Sequence, residues 1–306
     1  MIVFRQRSAF WIGIVAVHVG VVLHLLTYAR AGDKDYVLAG TPLGVATKTG
    51  IALIAIGLLL AVYGIGPHRG EAQFGAVAHV RIRAFAEGPL SNSQTTLIGV
   101  MVAATLVTTT TLATLAFVVP GMTDEYQLAS ALVIWLPLGA LAGMVVGFLT
   151  WGRLGERIGR RAAILLAGVI FIATAVGGSL PAFGWNLLMG FLMGVALGGL
   201  IPIGVTLVAE TIPAQHRRRL LACVGAGVAG AFVVTGALAA GLEPGFGWRV
   251  MGLIGLPAGF LLILLNRWIP ESPRFLLATG RVNEAAEVMT RYGAAVMYQD
   301  RRSRRS

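Results

Sequence analysis

The sequence is poor in charge, and the little charge that it has is unevenly placed. Only 12% of its 306 residues are Asp, Glu, Lys or Arg, whereas a soluble domain carries roughly 25%. Residues 126–152 and 162–209 contain no such residue at all. Uncharged stretches of this length are typical of helices inside a lipid bilayer. The composition therefore excludes an ordinary soluble domain.

Several kinds of chemistry are missing as well. The single cysteine, Cys223, cannot form a disulfide within the chain. The net charge is +11, but the arginines lie in short turns and in the tail, where anionic lipid explains them better than nucleic acid does. The apolar stretches lack a metal-binding cluster, a nucleophile beside a base and a pair of carboxylates. We therefore expect a lipid environment, no nucleic-acid partner, no metal or cofactor, and no catalytic residues or enzymatic activity.

Eight uncharged stretches are long enough to cross roughly 30 Å of hydrocarbon as helices. They lie at about residues 8–28, 50–67, 95–120, 127–150, 162–180, 184–209, 220–242 and 250–266. The predicted fold is an all-α polytopic membrane protein with about eight transmembrane helices.

The spans divide into a two-helix leader and a six-helix bundle. The leader covers residues 1–67, a cytoplasmic linker covers 68–94, the six-helix unit covers 95–269, and a cytoplasmic segment with a basic tail covers 270–306. Within the linker we predict a short interfacial helix over 73–86. Beyond the last span we predict a short amphipathic helix over 283–292.

The distribution of Lys and Arg predicts the orientation. If the N-terminus is cytoplasmic and the eight spans alternate, 20 of the 24 Lys and Arg residues lie on the cytoplasmic side. Such a bias is the positive-inside rule. We therefore expect an integral protein of a bacterial inner membrane or a plasma membrane, with both termini in the cytoplasm.

The turn between two uncharged stretches has a distinctive sequence. Residues 152–161 read Gly-Arg-Leu-Gly-Glu-Arg-Ile-Gly-Arg-Arg. The turn resembles the loop between helices two and three of the major facilitator superfamily, which has the pattern G-x-L-(A/G)-(D/E)-R-x-G-R-(R/K).

Three further segments resemble the same family. Residues 210–219 resemble its E-x-x-P-x-x-x-R segment, residues 247–249 read Gly-Trp-Arg, and residues 270–276 resemble the PESPR-(W/F)-L segment of sugar porters. The four motifs occur in the family's order and spacing, and the resemblance covers about residues 88–293. The sugar-porter and aromatic-acid symporter branches are the most similar.

The resemblance implies transport of a small polar solute or organic acid by alternating access. It also implies a cytoplasmic latch of ion pairs that break as the bundle moves. The residues assigned to this latch are Gly152, Glu156, Arg157, Gly159, Arg160, Arg161, Glu210, Arg217, Glu271 and Arg274. The simpler interpretation is that the arginines only fix the topology. Topology alone, however, does not need the three acids.

The sequence departs from the family inside the spans. Where proton-coupled members often carry an Asp, residues 108–111 are all Thr, and the position after Gly190 is Phe191 where sugar porters have Arg. Coupling to protons by the usual carboxylate is therefore not predicted. The substrate-cavity candidates that remain are Thr108, Thr109, Thr111 and Phe191. The alternative is that the threonine hydroxyls bond their own helix.

The resemblance covers only one of the family's two six-helix halves. We therefore expect a half-transporter or a truncated transporter, with a second half or a homodimer partner as the other wall of the cavity. The alternative is a non-transporting membrane subunit that stabilises or regulates a partner complex.

Two local predictions complete the sequence analysis. Glycines recur every four residues at 139, 143 and 147 and again at 190, 194 and 198, which predicts close helix packing. Asn186 is expected near the outer surface, with water as its hydrogen-bond partner.

Overall fold

The structure is a computed structural model, and it describes residues 5–65, 80–82, 90–292 and 296–298. Within these residues the chain is almost wholly helical. The α-helices are α1 (Arg7–Arg30), α2 (Val45–Ile65), α3 (Asn92–Ala113), α4 (Leu115–Tyr126), α5 (Ser130–Val133), α6 (Trp135–Ile158), α7 (Arg160–Thr174), α8 (Phe183–Thr211), α9 (Arg217–Phe246), α10 (Arg249–Leu253), α11 (Gly255–Leu265), α12 (Pro273–Ala278) and α13 (Val282–Arg291). Short 3-10 turns lie at Gly32–Lys34, Ala175–Ser179, Ala214–His216 and Asn266–Trp268.

Eight helical segments are long and apolar enough to cross a membrane, so the predicted all-α polytopic fold is confirmed. They are Arg7–Arg30, Val45–Ile65, Asn92–Tyr126, Ala131–Ile158, Arg160–Ser179, Phe183–Val208, Arg217–Phe246 and Arg249–Trp268. The third span joins α3 to α4, the fourth joins α5 to α6, and the eighth joins α10, α11 and the turn that follows them. The division into leader, linker, six-helix unit and C-terminal segment stays a prediction.

One short sheet interrupts the helical pattern. Strand β1 (Val80–Ile82) pairs antiparallel with β2 (Val296–Tyr298). The interfacial helix predicted over 73–86 is therefore wrong at Val80–Ile82, and its other residues lie outside the described part of the chain. The end of the basic tail, 299–306, lies outside it as well. The pairing brings the linker and the C-terminal segment together, a contact between distant residues that local periodicity does not reveal.

The spans alternate in direction, which gives the bundle two chemically different ends. Ile158, Arg160 and Arg217 lie at one end, named here the basic end because the arginine-rich turns are there. Tyr126 and Arg249 lie at the other, named here the opposite end. The charge distribution predicts that the basic end is cytoplasmic.

Helix α7 forms the centre of the bundle. In its span, Arg160–Ser179, 89% of the most apolar window is buried within the protein, against 22% for the span that contains α9. Helices α8 and α11 and the leader pack around it. A helix covered on several sides needs apolar residues around its whole circumference. This explains why residues 162–174 are uncharged throughout.

The two predicted glycine ridges face each other and confirm the expected close packing. A Cβ added at Gly143 of α6 would overlap the backbone carbonyl of Phe191 in α8. In return, a Cβ at Gly194 of α8 would overlap the carbonyl of Ala140 in α6. Small residues let two helix backbones approach to this distance. Phe191 thus belongs to the seam between α6 and α8.

The leader hairpin consists of α1, α2 and the loop 31–44 between them. It packs along α7, and the ring of His18 in α1 lies 5.0 Å from that of Phe260 in α11. His24 is 1% exposed and is packed against Gly50 of α2. Both histidines therefore belong to helix packing, and the hairpin is part of the folded bundle.

Two short helices follow the last span. Helix α12 has Ser272 as its N-cap, whose hydroxyl accepts from the Phe275 N–H at 3.3 Å, and Pro273 in its first turn. Helix α13 begins at Val282, one residue before the start predicted from the sequence, and ends at Arg291. The two helices pack on each other and place residues 271–274 beside the start of α7.

Candidate functional site

A carboxylate near the end of α8 is the centre of an ionic cluster at the basic end. One oxygen of Glu210 accepts from Arg160 Nη1, at the start of α7, and from Ser272 Oγ at 2.7 Å. Arg274 Nε lies 3.5 Å from the other oxygen. The side chains of Glu210, Arg160 and Arg274 are 7%, 13% and 78% exposed. The cluster therefore joins α7, α8 and α12 at the edge of water.

A second carboxylate binds backbone donors beside it. Glu271 Oε1 accepts N–H bonds from Arg160 at 2.7 Å, from Arg161 at 3.3 Å and from Ser272 at 3.1 Å. The first two donors are N-terminal amides of α7, which have no acceptor within their own helix. Burial raises the pKa of the Glu271 carboxyl, and the three N–H bonds act in the opposite direction. Glu271 thus caps α7 from a distant part of the chain.

Gly159 explains why the turn between α6 and α7 requires glycine. Its φ is +94°, a conformation that residues with a side chain rarely adopt. A Cβ at this position would also lie 2.5 Å from Glu271 Oε2. The glycine therefore makes both the turn and the approach of the carboxylate sterically allowed.

The structure brings only part of the predicted latch together. Gly159, Arg160, Glu210, Glu271 and Arg274 meet as described, and Arg161 contributes its backbone N–H. The other three candidates in residues 152–161 do not join them: Gly152, Glu156 and Arg157 are exposed near the end of α6, and the side chains of Glu156 and Arg157 make no hydrogen bond or ion pair with a described residue. Arg217 begins α9 and lines the cavity described below. The latch function itself stays a prediction.

Gln94 is a residue at this end that the sequence analysis missed. It forms a capping box with Ser91 at the start of α3. Its Nε2 also donates to the carbonyls of Thr211 at 3.3 Å and Tyr292 at 2.9 Å. One buried amide thus joins the ends of α3, α8 and α13. The pattern Ser-x-x-Gln before an apolar run is a capping-box signature, and it could have predicted the first of these roles.

A cavity of about 340 Å³ lies between α3, α6, α8 and α9. Its walls are mostly aliphatic, and its polar members are Thr105, Thr108, Thr109 and Arg217. Thr108 donates its hydroxyl to the Ala104 and Thr105 carbonyls, at 2.9 and 3.1 Å. Thr109 is half-buried, and its hydroxyl has no partner among the described residues. Thr109 is therefore the hydroxyl best placed to meet a solute.

The other two cavity candidates do not line this cavity. Thr111 is buried, and its hydroxyl donates to the Val107 carbonyl at 3.0 Å. Phe191 lies in the seam between α6 and α8. Threonine runs leave open which positions face inward, because successive residues point about 100° apart around a helix. Packing against α8 and α9 decides this, and the sequence alone did not.

A second ionic cluster lies at the opposite end, and the sequence analysis did not predict it. Arg249 binds Glu125 through two parallel bonds, Nη2 to Oε1 at 2.7 Å and Nε to Oε2 at 3.0 Å. Trp248 Nε1 donates to Oε2 at 2.9 Å. The backbone N–H groups of Leu38 and Ala39, in the leader loop, donate to Oε1 at 2.8 Å each. This carboxylate therefore accepts five bonds from two segments of the chain, the leader loop and the start of α10.

The remaining donors of Arg249 are also bound. Nη1 donates to the Leu180 carbonyl at 2.9 Å and to the Gly178 carbonyl at 3.3 Å, and Nη2 donates to the Tyr126 hydroxyl at 3.0 Å. The guanidinium carbon also lies 4.6 Å from the centre of the Trp248 ring. Arg249 is 1% exposed. This is a buried charge whose hydrogen-bonding capacity is fully used.

Asn186 belongs to the same cluster, which corrects its predicted solvation by water. It is 5% exposed and donates to the Tyr126 hydroxyl at 3.2 Å and to the Ala182 carbonyl at 3.1 Å. Tyr126 in turn donates to the Leu180 carbonyl at 2.9 Å. The protein, rather than water, therefore provides the partners of this amide.

Comparison with known proteins identifies the fold of the six-helix unit. The family model described as Major Facilitator Superfamily matches residues 101–295. The chain is 32% identical over 177 residues to the niacin transporter NiaP of Acinetobacter baylyi, which is 57% of this chain and 40% of that protein. It is 32% identical over 178 residues to the 4-hydroxybenzoate transporter PcaK of Pseudomonas aeruginosa. That match covers 56% of this chain and 39% of that protein. The chain thus spans less than half the length of these relatives.

Solved structures agree on the fold. The structure of the proton:xylose symporter XylE bound to 6-bromo-6-deoxy-D-glucose superposes with a TM-score of 0.59 at 20% identity. The match covers 67% of this chain and 50% of that one. An inward-open structure of XylE from E. coli matches with a TM-score of 0.53, and this match covers 64% of this chain and 56% of that one. The similarity covers about one half of each transporter.

Proposed function

We propose that this chain, which belongs to the major facilitator superfamily, is one half of a membrane transporter for a small polar solute or organic acid. A second six-helix unit would provide the other wall of the transport path. The observation that carries the proposal is the cavity between α3, α6, α8 and α9. The leader hairpin packs elsewhere, on α7 and, through His18 and Phe260, on α11. A partner can therefore close the cavity without displacing the leader.

The cluster around Glu210 supports alternating access as the mechanism. Its members come from α7, α8 and α12, and both arginines retain access to water. Arg274, which is 78% exposed, can exchange Glu210 for solvent at small cost, whereas Arg160 is held more firmly. Glu156 and Arg157 are exposed in the last turn of α6 and available to a partner. We infer that the cluster closes the cytoplasmic side in one state and opens in the other.

The contents of the cavity favour an organic acid among the solute classes. Arg217 is the cationic residue in its lining, and Thr109 offers an unbound hydroxyl. The aliphatic walls suit an apolar body, and the guanidinium suits a carboxylate. Two relatives are named as transporters of niacin and of 4-hydroxybenzoate, which agrees with this preference.

The experiment that tests the proposal begins with the native particle. Its mass and chain composition would be measured by native mass spectrometry in nanodiscs, and the same particle would be reconstituted into vesicles. Uptake of radiolabelled 4-hydroxybenzoate, niacin and xylose would then be followed. We expect a homodimer or a pair with another six-helix chain, and saturable uptake of at least one acid.

A pair of threonine variants provides the matched control. Thr109→Val removes the unbound hydroxyl in the cavity and should lower uptake, whereas Thr111→Val removes a hydroxyl bonded within its own helix and should not. A monomer that binds and moves none of these solutes would exclude the transport proposal. A stoichiometric partner without any flux would favour the alternative function, a subunit that stabilises or regulates a partner complex.

A further inference from the structure

The leader hairpin contacts the six-helix unit at the end of α9. The Tyr28 hydroxyl, near the end of α1, donates to the Phe246 carbonyl at the end of α9, at 2.7 Å. The ring of Tyr36, in the loop, stacks on Tyr28 with their centres 4.8 Å apart, and lies 6.0 Å from the ring of Phe246. The end of α1 and the loop that follows it therefore both contact the end of α9.

Two consecutive backbone N–H groups bind the loop to the six-helix unit. Leu38 and Ala39 both donate to Glu125 Oε1 at the end of α4. The same oxygen accepts from Nη2 of Arg249, whose Nη1 donates to the carbonyls of Gly178 and Leu180 in the turn after α7. One carboxylate thus holds the leader loop, α4, α10 and the turn after α7. Hydrogen bonds from N–H groups to a carboxylate are stronger than those between neutral groups.

We infer that the loop 31–44 is a strap that fastens the leader hairpin to the opposite end of the six-helix unit. It makes the ends of α1, α4, α9 and α10 one rigid body, so that these ends do not separate when the protein changes conformation. The strap depends on Glu125 and on two backbone N–H groups. The inference concerns the leader alone, and it stands whether or not the chain moves a solute.

Three variants of the full-length chain separate the strap from general stability. Glu125→Gln leaves one acceptor oxygen where there were two. Ala39→Pro removes one of the two loop N–H donors and leaves the Glu125–Arg249 pair in place. Val45→Pro is the matched control, because Val45 is 83% exposed and begins α2, where proline is tolerated and no N–H bond is lost.

Two measurements in nanodiscs would report on the loop. The first is hydrogen exchange of residues 37–41. The second is the distance distribution between spin labels at Val37 and Asp124, both exposed, in a chain whose exposed Cys223 is replaced by Ser. For the unaltered loop we expect slow exchange and one narrow distance. Glu125→Gln and Ala39→Pro should each speed exchange by at least about tenfold and broaden the distance, because a bond to a charged group is lost.

The control and the contrary outcomes are defined in the same measurements. Val45→Pro should change neither. A broad distance in the unaltered loop would overturn the inference, as would an equal response to Ala39→Pro and Val45→Pro. The absence of any change in the first two variants would also overturn it. If Glu125→Gln fails to fold, the comparison of the two proline variants decides.

Discussion

The two ends of the bundle use the same pairing of carboxylate and guanidinium in different surroundings. At the opposite end, the side chains of Glu125 and Arg249 are 8% and 1% exposed, and both have all their strong bonding positions occupied. At the basic end, Glu210 is equally buried, at 7%, but the arginines that meet it are 13% and 78% exposed. There, Glu210 Oε1 accepts no hydrogen bond from a described residue, and the buried Nε of Arg161 also has no partner among them. From these contacts we expect the second arrangement to separate more easily than the first.

The physical reason for the difference is the cost of leaving a charge alone. Removing one partner of a buried ion pair leaves an uncompensated charge out of water, which costs several kcal/mol. An exposed pair loses little, because solvent replaces the missing partner. A cavity of about 510 Å³ beside Glu271, lined by Arg161 and Arg291 among others, gives solvent room at the basic end. The predictions below follow from this contrast.

The largest effect should come from Arg249. Arg249→Leu removes the cation and leaves Glu125 buried with only neutral donors, so we expect the free energy of unfolding to fall by about 3–5 kcal/mol. The measurement is denaturant-induced unfolding in mixed micelles. Arg153→Leu, at an exposed position near the end of α6, is the matched control and should change the free energy of unfolding by less than about 0.5 kcal/mol. Equal effects of the two variants would remove the contrast between the ends.

A smaller loss should follow from neutralising the carboxylate at the basic end. Glu210→Gln weakens the bonds from Arg160 and Ser272, and we expect a cost of about 2 kcal/mol, since Arg160 remains partly hydrated. The same denaturant titration of Glu125→Gln should show a greater loss of unfolding free energy, because Arg249 is only 1% exposed and water cannot replace the lost carboxylate. The contrast would be reversed if Glu210→Gln proved the more damaging of the two.

Glu271 should make the basic end sensitive to pH. Its carboxyl has a raised pKa in the folded protein, so the folded state holds the proton more tightly than the unfolded chain. Stability should therefore fall as the pH rises from the ordinary carboxyl pKa, about 4.3, to the raised value. The slope cannot exceed about 1.4 kcal/mol per pH unit for one group.

The variant Glu271→Gln isolates this contribution. It has no titrating group at the position, so the difference in unfolding free energy between it and the parent chain should change across that pH interval and be constant above it. A difference that favours the parent increasingly as the pH rises would show that the three backbone N–H bonds outweigh burial. In that case Glu271 is an ordinary ionised helix cap.

The sequence predicted the basic end better than the opposite end, for a physical reason. Glu210 and Glu271 lie with arginines in short motifs at helix ends, and the resemblance of those motifs to the family's pattern singled them out. The eight spans were likewise visible as uncharged runs. Gly159 was visible within its motif, although its contact with Glu271 was not.

The opposite end depends on contacts between distant residues. Glu125 and Arg249 are 124 positions apart, and Leu38 contributes only a backbone N–H, which every residue except proline possesses. No local pattern could connect them. The threonines pose a related problem: Thr111 and Thr109 point about 200° apart around the helix, and only packing shows which of them faces the cavity between α3, α6, α8 and α9. Rotation about a helix axis and pairing across the fold therefore have to be read from the structure.

The smallest effect is expected from Arg274, the most exposed arginine of the two clusters. Arg274 lies 3.5 Å from Glu210 and is 78% exposed, so Arg274→Ala should lower the free energy of unfolding by no more than about 0.5 kcal/mol. A double-mutant cycle with Glu210→Gln should give a coupling energy of the same small size, and high salt should remove it. A coupling above about 2 kcal/mol would mean that the pair is shielded from water in the native particle. The face that carries Arg274 would then be covered by a partner, and the basic end would be closed by an interface rather than by the chain's own ion pairs.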